Sequence, residues 1–346
     1  MTSEVSLIVG GKIHKGWDSA SITLSAERVA GSFSLSLADA WREGDQVIQR
    51  TVKGGDACVV QVGGETVITG YVDSVAPGYS TSKHGITVSG RDVTGDLVDC
   101  SSEHLEFTGQ GIAAIVQGLC KPFGVGVITK GDMGSPFPRF ATNVGDGVIE
   151  SIERACRLRG LIAYSDGLGN LVISKGLSGA VIERFERGKN VIEAGATHDF
   201  ANRFSSITVK TSREGSDTLS TAEIASVSGV ARDGAIKRHR PLIILSEMQA
   251  DGLSASERAD FENRMRIARS QKINLTAQGW QAPSGKVRRP GQGVQFDDDW
   301  LGASGAYVIS EITLEKALSG GTTSKLTLMA PGAFDKIAEP DKGGSW

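Results

Sequence analysis

The sequence predicts an α+β protein that is mainly β: two similar small β-barrels, a small α/β domain and a helical insertion. Three observations predict it. A strand pattern occurs twice, as GDACVVQV, GYVDSV and GITV within residues 55–88, and as GQGVQF, GAYVISEI and KLTL within residues 291–328. In each copy a glycine-led turn opens one strand, a Gly-aromatic or Gly-Ala-Tyr segment opens the next, and a β-branched alternating strand follows. The composition agrees: 45 Gly against 9 Pro, with abundant Val, Ile, Ser and Thr, suits short strands joined by tight turns. Helical spacing of apolar residues is found within 103–178 and at 254–270.

Residues 1–102 form the expected first barrel. Val5, Leu7 and Val9 alternate, as do Ile22 and Leu24, and Phe33, Leu35 and Leu37 with serines between them. A period of two with small polar residues outward marks half-buried strands. Gly63-Gly64 separates CVVQV from TVITGYV, and a two-glycine link supplies the positive φ angles of a tight hairpin turn.

Residues 103–178 form the α/β domain. Ile112, Ile115, Val116 and Leu119 fall at helical spacing, and so do Ile149, Ile152, Ala155 and Cys156. LIAYS and NLVIS flank Asp166-Gly167-Leu168-Gly169 and predict a hairpin. The second barrel is expected from 179–212 and 271–335, beginning with the strand FSSITVK at 204–210 and finishing with INLTAQG, GVQF, YVISEITL and SKLTLM. Between its parts, 213–270 is an inserted loop and helix region. It holds a polar, weakly patterned stretch at 213–240, with SREGSDTLST as a loop, and an apolar run from Pro241 to Leu245. A helix follows, with Phe261, Met265 and Ala268 on one face. Ser254 and Glu257 stand at capping-box spacing at its start. Residues 336–346 lack a pattern and form a loose tail.

A chain of 346 residues exceeds what one core serves, so two to three domains are expected. The net charge of −3 lacks the basic excess of a binder driven by phosphate contacts. MTSEVSLIV at the start has no signal-peptide pattern, and no run approaches the ~20 apolar residues of a membrane span. The expectation is a soluble protein made in the cytoplasm, with no membrane insertion.

The search for chemistry returns no catalytic, cofactor-binding or metal residues. Cys58, Cys100, Cys120 and Cys156 form no CxxC pair and read as reduced, mostly buried small hydrophobes. His14, His84, His104, His198 and His239 are scattered, with no HExxH pair. GGKIHKG at 10–16 is not a phosphate loop, since it lies between short strands. Asp297-Asp298-Asp299 is suggestive of a hard cation, but consecutive strand residues face opposite ways and alternating ligand spacing is absent; a solvated loop is the better reading. Two stretches are basic, Arg232 to Arg240 and the helix with Arg258, Arg264, Arg266, Arg269 and Lys272. The second is interrupted by acids. The first could meet a polyanion or an acidic partner, yet it has no interleaved aromatics for base stacking.

Residues 5–37, VSLIVGGKIHKGWDSASITLSAERVAGSFSLSL, resemble the start of the hub proteins of Mu-like phage baseplates. So do SGRDVTGDLVDCS at 89–101, GYVDSV at 70–75, GVARDGAIKRHRPLIIL at 229–245, ERADFENRMRIARSQ at 257–271 and AYVISEITL at 306–314. The resemblance covers almost the whole chain and rests on several segments in the right order. It implies a contractile-tail protein similar in fold to the T-even phage hub and to the N-terminal part of type VI secretion spike proteins. Each subunit would carry two like barrels. Three subunits would form a ring between the six-fold tail tube and the three-fold central spike, in the virion baseplate, with DNA passing through the lumen without specific binding. No catalytic residue or cofactor is implied. The rival readings are a tail-tip peptidoglycan hydrolase, which needs a carboxylate or metal cluster in a cleft, and a carbohydrate-binding receptor module. The latter wants aromatic platforms, whereas Trp17, Trp41, Trp280, Trp300 and Trp346 are dispersed.

Overall fold

A computed structural model describes residues 4–38, 52–81, 84–177, 179–211, 227–245, 252–317 and 321–330. The loop SREGSDTLST, the tail 336–346, Trp41 and Trp346 lie outside the described residues. The mainly β class holds.

The N-terminal part is built from β1 (Val5–Val9), β2 (Lys12–His14), β3 (Ser19–Ser25), β4 (Ser32–Ala38), β5 (Ala57–Val62), β6 (Glu65–Tyr79) and β7 (His84–Asp92). The alternation read from the sequence is the burial pattern in β3 and β4: Ile22 and Leu35 are fully buried, as is Leu7 in β1, while Ser21, Ser34 and Ser36 are half-buried. A fully buried Leu or Ile contributes ~1.5–3 kcal/mol, so register in these strands is firmly specified. The C-terminal counterpart comprises β13 (Val181–Phe185), β14 (Val191–His198), β18 (Gln271–Gln278), β19 (Gly293–Phe296), β20 (Ala306–Ala317) and β21 (Gly321–Met329).

These strands form one thirteen-stranded sheet, and its pairing order repeats. The first half runs β3-β4-β7-β6-β5-β1, and the second runs β14-β18-β21-β20-β19-β13. The halves join where β20 pairs antiparallel with β3. One difference is that β1 lies antiparallel to β5 whereas β13 lies parallel to β19.

The repeat extends to single hydrogen bonds. Gly55 N–H donates to Val72 O (2.7 Å) and Val72 N–H to Asp56 O (2.9 Å); Gly291 N–H donates to Ile309 O (2.8 Å) and Ile309 N–H to Gln292 O (3.0 Å). Gly55 and Gly291 are both in the left-handed region, at φ 90° and 83°. In the turn before each strand, Lys53 N–H is bound by the Asp56 carboxylate and Arg289 N–H by the Gln292 side chain. A β-bulge follows in the middle strand of each half, at Asp73 in β6 and at Ser310 in β20. One apolar cluster runs through both halves, from Leu7, Ile22 and Leu35 to Phe296, Ile312 and Leu328.

Residues 93–177 contain α1 (Gly95–Asp99), α2 (Ile112–Cys120) and α3 (Val148–Leu158) with short strands between them. The antiparallel pair β8 (Glu106–Gln110) and β10 (Phe137–Ala141) lies apart from the sheet β11-β12-β9, formed by β9 (Gly126–Lys130), β11 (Ile162–Ser165) and β12 (Asn170–Ser174). The predicted hairpin is β11–β12, its turn held by Asp166, whose Oδ1 accepts from Leu168 N–H and Asn170 N–H. Both helices bury the faces read from periodicity: Ile112, Ile115, Val116 and Leu119 pack with Ile149, Ile152, Ala155 and Cys156.

Three expectations need correction. The strand predicted as the start of the second barrel, β15 (Ser206–Thr211), joins neither half of the large sheet. It pairs with β16 (Val227–Arg232) and β17 (Pro241–Leu245) under α4 (Gly252–Arg269). Val209 and Ala231 are buried there against Ala255 and Ala259, so the helix supplies the cover that the large sheet was expected to give. The segment 213–240, read as unpatterned, contains β16. Its sequence VSGVAR is short and has a glycine at its centre, which hides the alternation. That glycine is required by packing, since a Cβ on Gly229 would lie 2.3 Å from the backbone of Ala255 and Ser256. The helix also begins at Gly252, so Ser254 falls within its first turn and not before it.

Candidate assembly surfaces

Two hairpin tips occupy equivalent places in the repeated strand order and carry opposite chemistry. Between β5 and β6 the tip is Gly63-Gly64, at φ 58° and 86°. Positive φ at both central residues is the geometry of a primed two-residue turn, as the sequence predicted. Gly63 N–H is bound to Glu4 O at 2.9 Å. This tip presents backbone and no side chain.

Between β19 and β20 the ladder continues past Phe296, whose N–H donates to Gly305 O at 3.0 Å. Asp298 and Ala303 exchange both backbone bonds, at 2.8 and 3.0 Å. Four residues, Asp299 to Gly302, make the tip. The carboxylate of Asp297 accepts from Gly305 N–H (2.9 Å), Ser304 Oγ (3.2 Å), Gln295 Nε2 (3.2 Å) and Arg184 Nη2 (3.1 Å). Gln295 first, then the Gly305 amide, Ser304 and Arg184, hold this carboxyl below the usual range. Asp298 Oδ1 accepts from Leu301 N–H, and Leu301 folds back onto the core. Trp300 between them is 86% exposed. The acidic triplet is therefore a loop brace: two of its carboxylates bind loop amides and are half-buried, and Asp299 is exposed.

The other residues singled out in the sequence do not converge. Among the described residues no group of three or more His, Cys, Asp or Glu is placed to hold a metal ion. His14 is buried at the end of β2, and burial and then Lys12 push its pKa down. His84 stacks on Tyr79 at 6.1 Å between centroids, His104 Nδ1 meets Thr142 O, His198 Nε2 meets Leu301 O and His239 is exposed. Burial pushes the Cys58 and Cys120 thiols up to about 12 and raises Cys156 further, so these three are inert packing groups; Cys100 is exposed. GGKIHKG forms the β1–β2 turn, with Gly10 and Gly11 at positive φ.

The basic helix and the strand after it carry several ion pairs. Glu262 binds Arg258 and Arg266, and Glu27 binds Arg269 and Lys272. The basic stretch 232–240 ends in Arg240, whose guanidinium lies over Phe204, while Lys237, Arg238 and His239 are exposed. Beside them the outer face of the β16-β15-β17 sheet places Val230 and Ile243 on either side of Thr208, and both apolar residues are more than half exposed.

Sequence reasoning missed two features. The scatter of tryptophans hides that Trp17 and Trp280 are core residues and Trp300 is not; its place directly after three aspartates and two residues before Gly302 is the available signal. Two buried ion pairs were also missed. Arg288 binds Glu183 at 2.7 and 3.0 Å, with side chains 3% and 5% exposed. Arg203 binds Asp233 at 2.7 and 2.9 Å.

Comparison with known proteins gives a consistent picture. Residues 4–92 match the N-terminal model of the Mu phage baseplate assembly protein GpP-like family. Residues 94–175 match the second domain of the gp44-like baseplate hub proteins, and 252–337 match the fourth domain of the Mu baseplate assembly protein GpP. The chain is 30% identical to the baseplate hub protein gp44 of Escherichia phage Mu, over 99% of this chain and 92% of that one. Among solved structures, the 43 kDa tail protein of prophage MuSo2 from Shewanella oneidensis is 33% identical, with a TM-score of 0.81 over 96% of this chain and 100% of that chain. A tail protein from Neisseria meningitidis is similar in fold, with a TM-score of 0.80 at 22% identity over 96% and 97% of the two chains. A type VI secretion component of E. coli, described as structurally similar to the T4 tail proteins gp27 and gp5, shares the fold at 9% identity, with a TM-score of 0.62 over 96% of this chain and 79% of that one.

Proposed function

The chain belongs to the baseplate hub family of Mu-like phages, and from that premise we propose that it is a non-enzymatic symmetry adaptor of a contractile tail. It is a phage tail baseplate component. In the proposed assembly each half of the repeated sheet acts as one barrel-like module, and three copies form a ring of six modules. One face meets the six-fold tail tube while the whole keeps the three-fold axis of the central spike, and DNA passes through the lumen without specific contacts. The single observation that carries this reading is the repeat itself, with Gly55, Asp56 and Val72 in the same hydrogen-bonded roles as Gly291, Gln292 and Ile309. Two like modules per chain are what a subunit needs to present six similar surfaces from three copies. Closed cyclic symmetry also prevents open polymerisation. The division into 1–102, 103–178, 179–212 with 271–335, and 213–270 remains part of the proposal, amended by the separate β16-β15-β17 sheet. Co-purification with the tube and spike proteins of the same phage tests the reading. Simultaneous capture of both by one hub supports it, and a hub that binds neither contradicts it.

A further inference from the structure

We propose that Trp300 is the anchor by which the hub engages its three-fold partner, the central spike, and that the six-fold tube does not use it. The inference rests on the three-copy ring proposed above and starts from the place where the internal repeat is broken. The two halves agree from the opening turns through the bulges. They diverge at the β5–β6 and β19–β20 tips, one a bare Gly63-Gly64 and the other the braced loop carrying Trp300. At the opposite ends, β6 and β7 pair out to Tyr79 with His84, whose rings stack, and β20 and β21 pair out to Ala317 with Gly321.

A ring of three such chains would present six tips at equivalent positions, alternately bare and Trp-bearing. A six-fold partner offers six identical surfaces. A pocket that accepts an indole is left unfilled by a glycine tip, and a surface that fits the glycine tip is blocked by the indole. A three-fold partner has no such conflict, because it offers three pockets to three knobs.

The tip has the properties of a binding anchor. Tryptophan is enriched among residues that dominate interface energetics, and it offers ~150–250 Å² of area to bury. The four hydrogen bonds to Asp297 and the Asp298–Ala303 bridge hold the loop before binding, so little ordering cost is left at docking. The exposed Asp299 carboxylate, with no ion pair among the described residues, sets the partner chemistry: an apolar slot rimmed by Lys or Arg.

Purified hub is titrated against immobilised spike protein and, separately, immobilised tube protein of the same phage. Trp300→Ala is expected to weaken spike binding by about thirty-fold or more, the range of a dominant interface residue. Tube binding and the melting temperature should stay unchanged, and Trp300→Phe should restore part of the affinity. Asp299→Lys should slow spike association, as expected for a charge at an interface rim. Unchanged spike affinity in Trp300→Ala overturns the inference, as does an equal loss of tube binding. Loss of hub self-association in concentrated Trp300→Ala, read by sedimentation, would place Trp300 between copies and overturn it as well. Sedimentation of the wild-type hub–spike complex separates the two readings. A complex lacking three hub chains removes the ring and this inference together, whereas a three-chain complex indifferent to Trp300→Ala removes this inference alone.

Discussion

Arg288 and Glu183 are separated by 105 positions in the chain and neither lies in a motif, so nothing in the sequence marks them as partners. Their pairing follows only from the tertiary fold: Glu183 lies on β13 beside β19, and Arg288 lies in the segment leading into β19, its backbone N–H donating to Trp280 O. The guanidinium also donates to Gly279 O and Ser324 Oγ, which satisfies the charge in a dry environment. Breaking one side of a buried pair leaves an uncompensated charge and costs ~3–5 kcal/mol, whereas replacing both partners with apolar groups is often neutral. Arg288→Met is therefore expected to lower unfolding stability by about that amount, and Glu183→Leu/Arg288→Met to recover most of it. Urea denaturation of the single and double variants measures both, and a single variant as stable as wild type would contradict the assignment. Asp233 gives a pH dependence. Burial pushes its carboxyl up, but the Arg203 hydrogen bond, the Ala235 N–H and the Arg203 charge together bring it below the usual carboxylate range. A carboxyl with a depressed folded pKa adds stability above its unfolded pKa, and that stability is lost as pH falls through the folded value. Between pH 6 and pH 3 the melting temperature of Asp233→Asn should fall less steeply than that of wild type. Parallel curves would show that the pair contributes no acid dependence.

Elements were legible where one face is apolar and the punctuation is strong. The Gly63-Gly64 hairpin, the β11–β12 hairpin and the inward faces of α2 and α3 all follow from alternation or helical spacing. The β16-β15-β17 sheet was not legible. Its strands are short, its inner face is covered by a helix, and the parallel pairing of β15 with β17 joins segments separated by another strand. The hairpin carries a direct prediction. Replacing Gly63 and Gly64 with valine forces two β-branched residues into left-handed backbone at ~1–2 kcal/mol each. The double variant should lose about 2–4 kcal/mol in a denaturant titration. An unchanged midpoint would mean that the turn relaxes to another form without penalty.

At the scale of the whole molecule, the echo between residues 55–88 and 291–328 placed Gly55 and Gly291 correctly in one backbone role. It was silent about the tips, because a loop and a turn can link the same two strands. Among the described residues no group of three or more His, Cys, Asp or Glu is placed to hold a metal ion, and Cys58, Cys120 and Cys156 are buried. The proposed adaptor role, which rests on the kinship with baseplate hub proteins, predicts no clearing of cell-wall substrate in zymography of the purified protein. Clearing that a single carboxylate substitution abolishes would replace the adaptor with a hydrolase. In the proposed assembly one chain with two like modules reconciles six-fold and three-fold symmetry, and electron cryomicroscopy of the hub assembled with spike and tube would resolve that arrangement. The account predicts three hub chains about a three-fold axis, with six similar modules facing the tube. A ring with two-fold symmetry, or six hub chains each presenting one module, would contradict it.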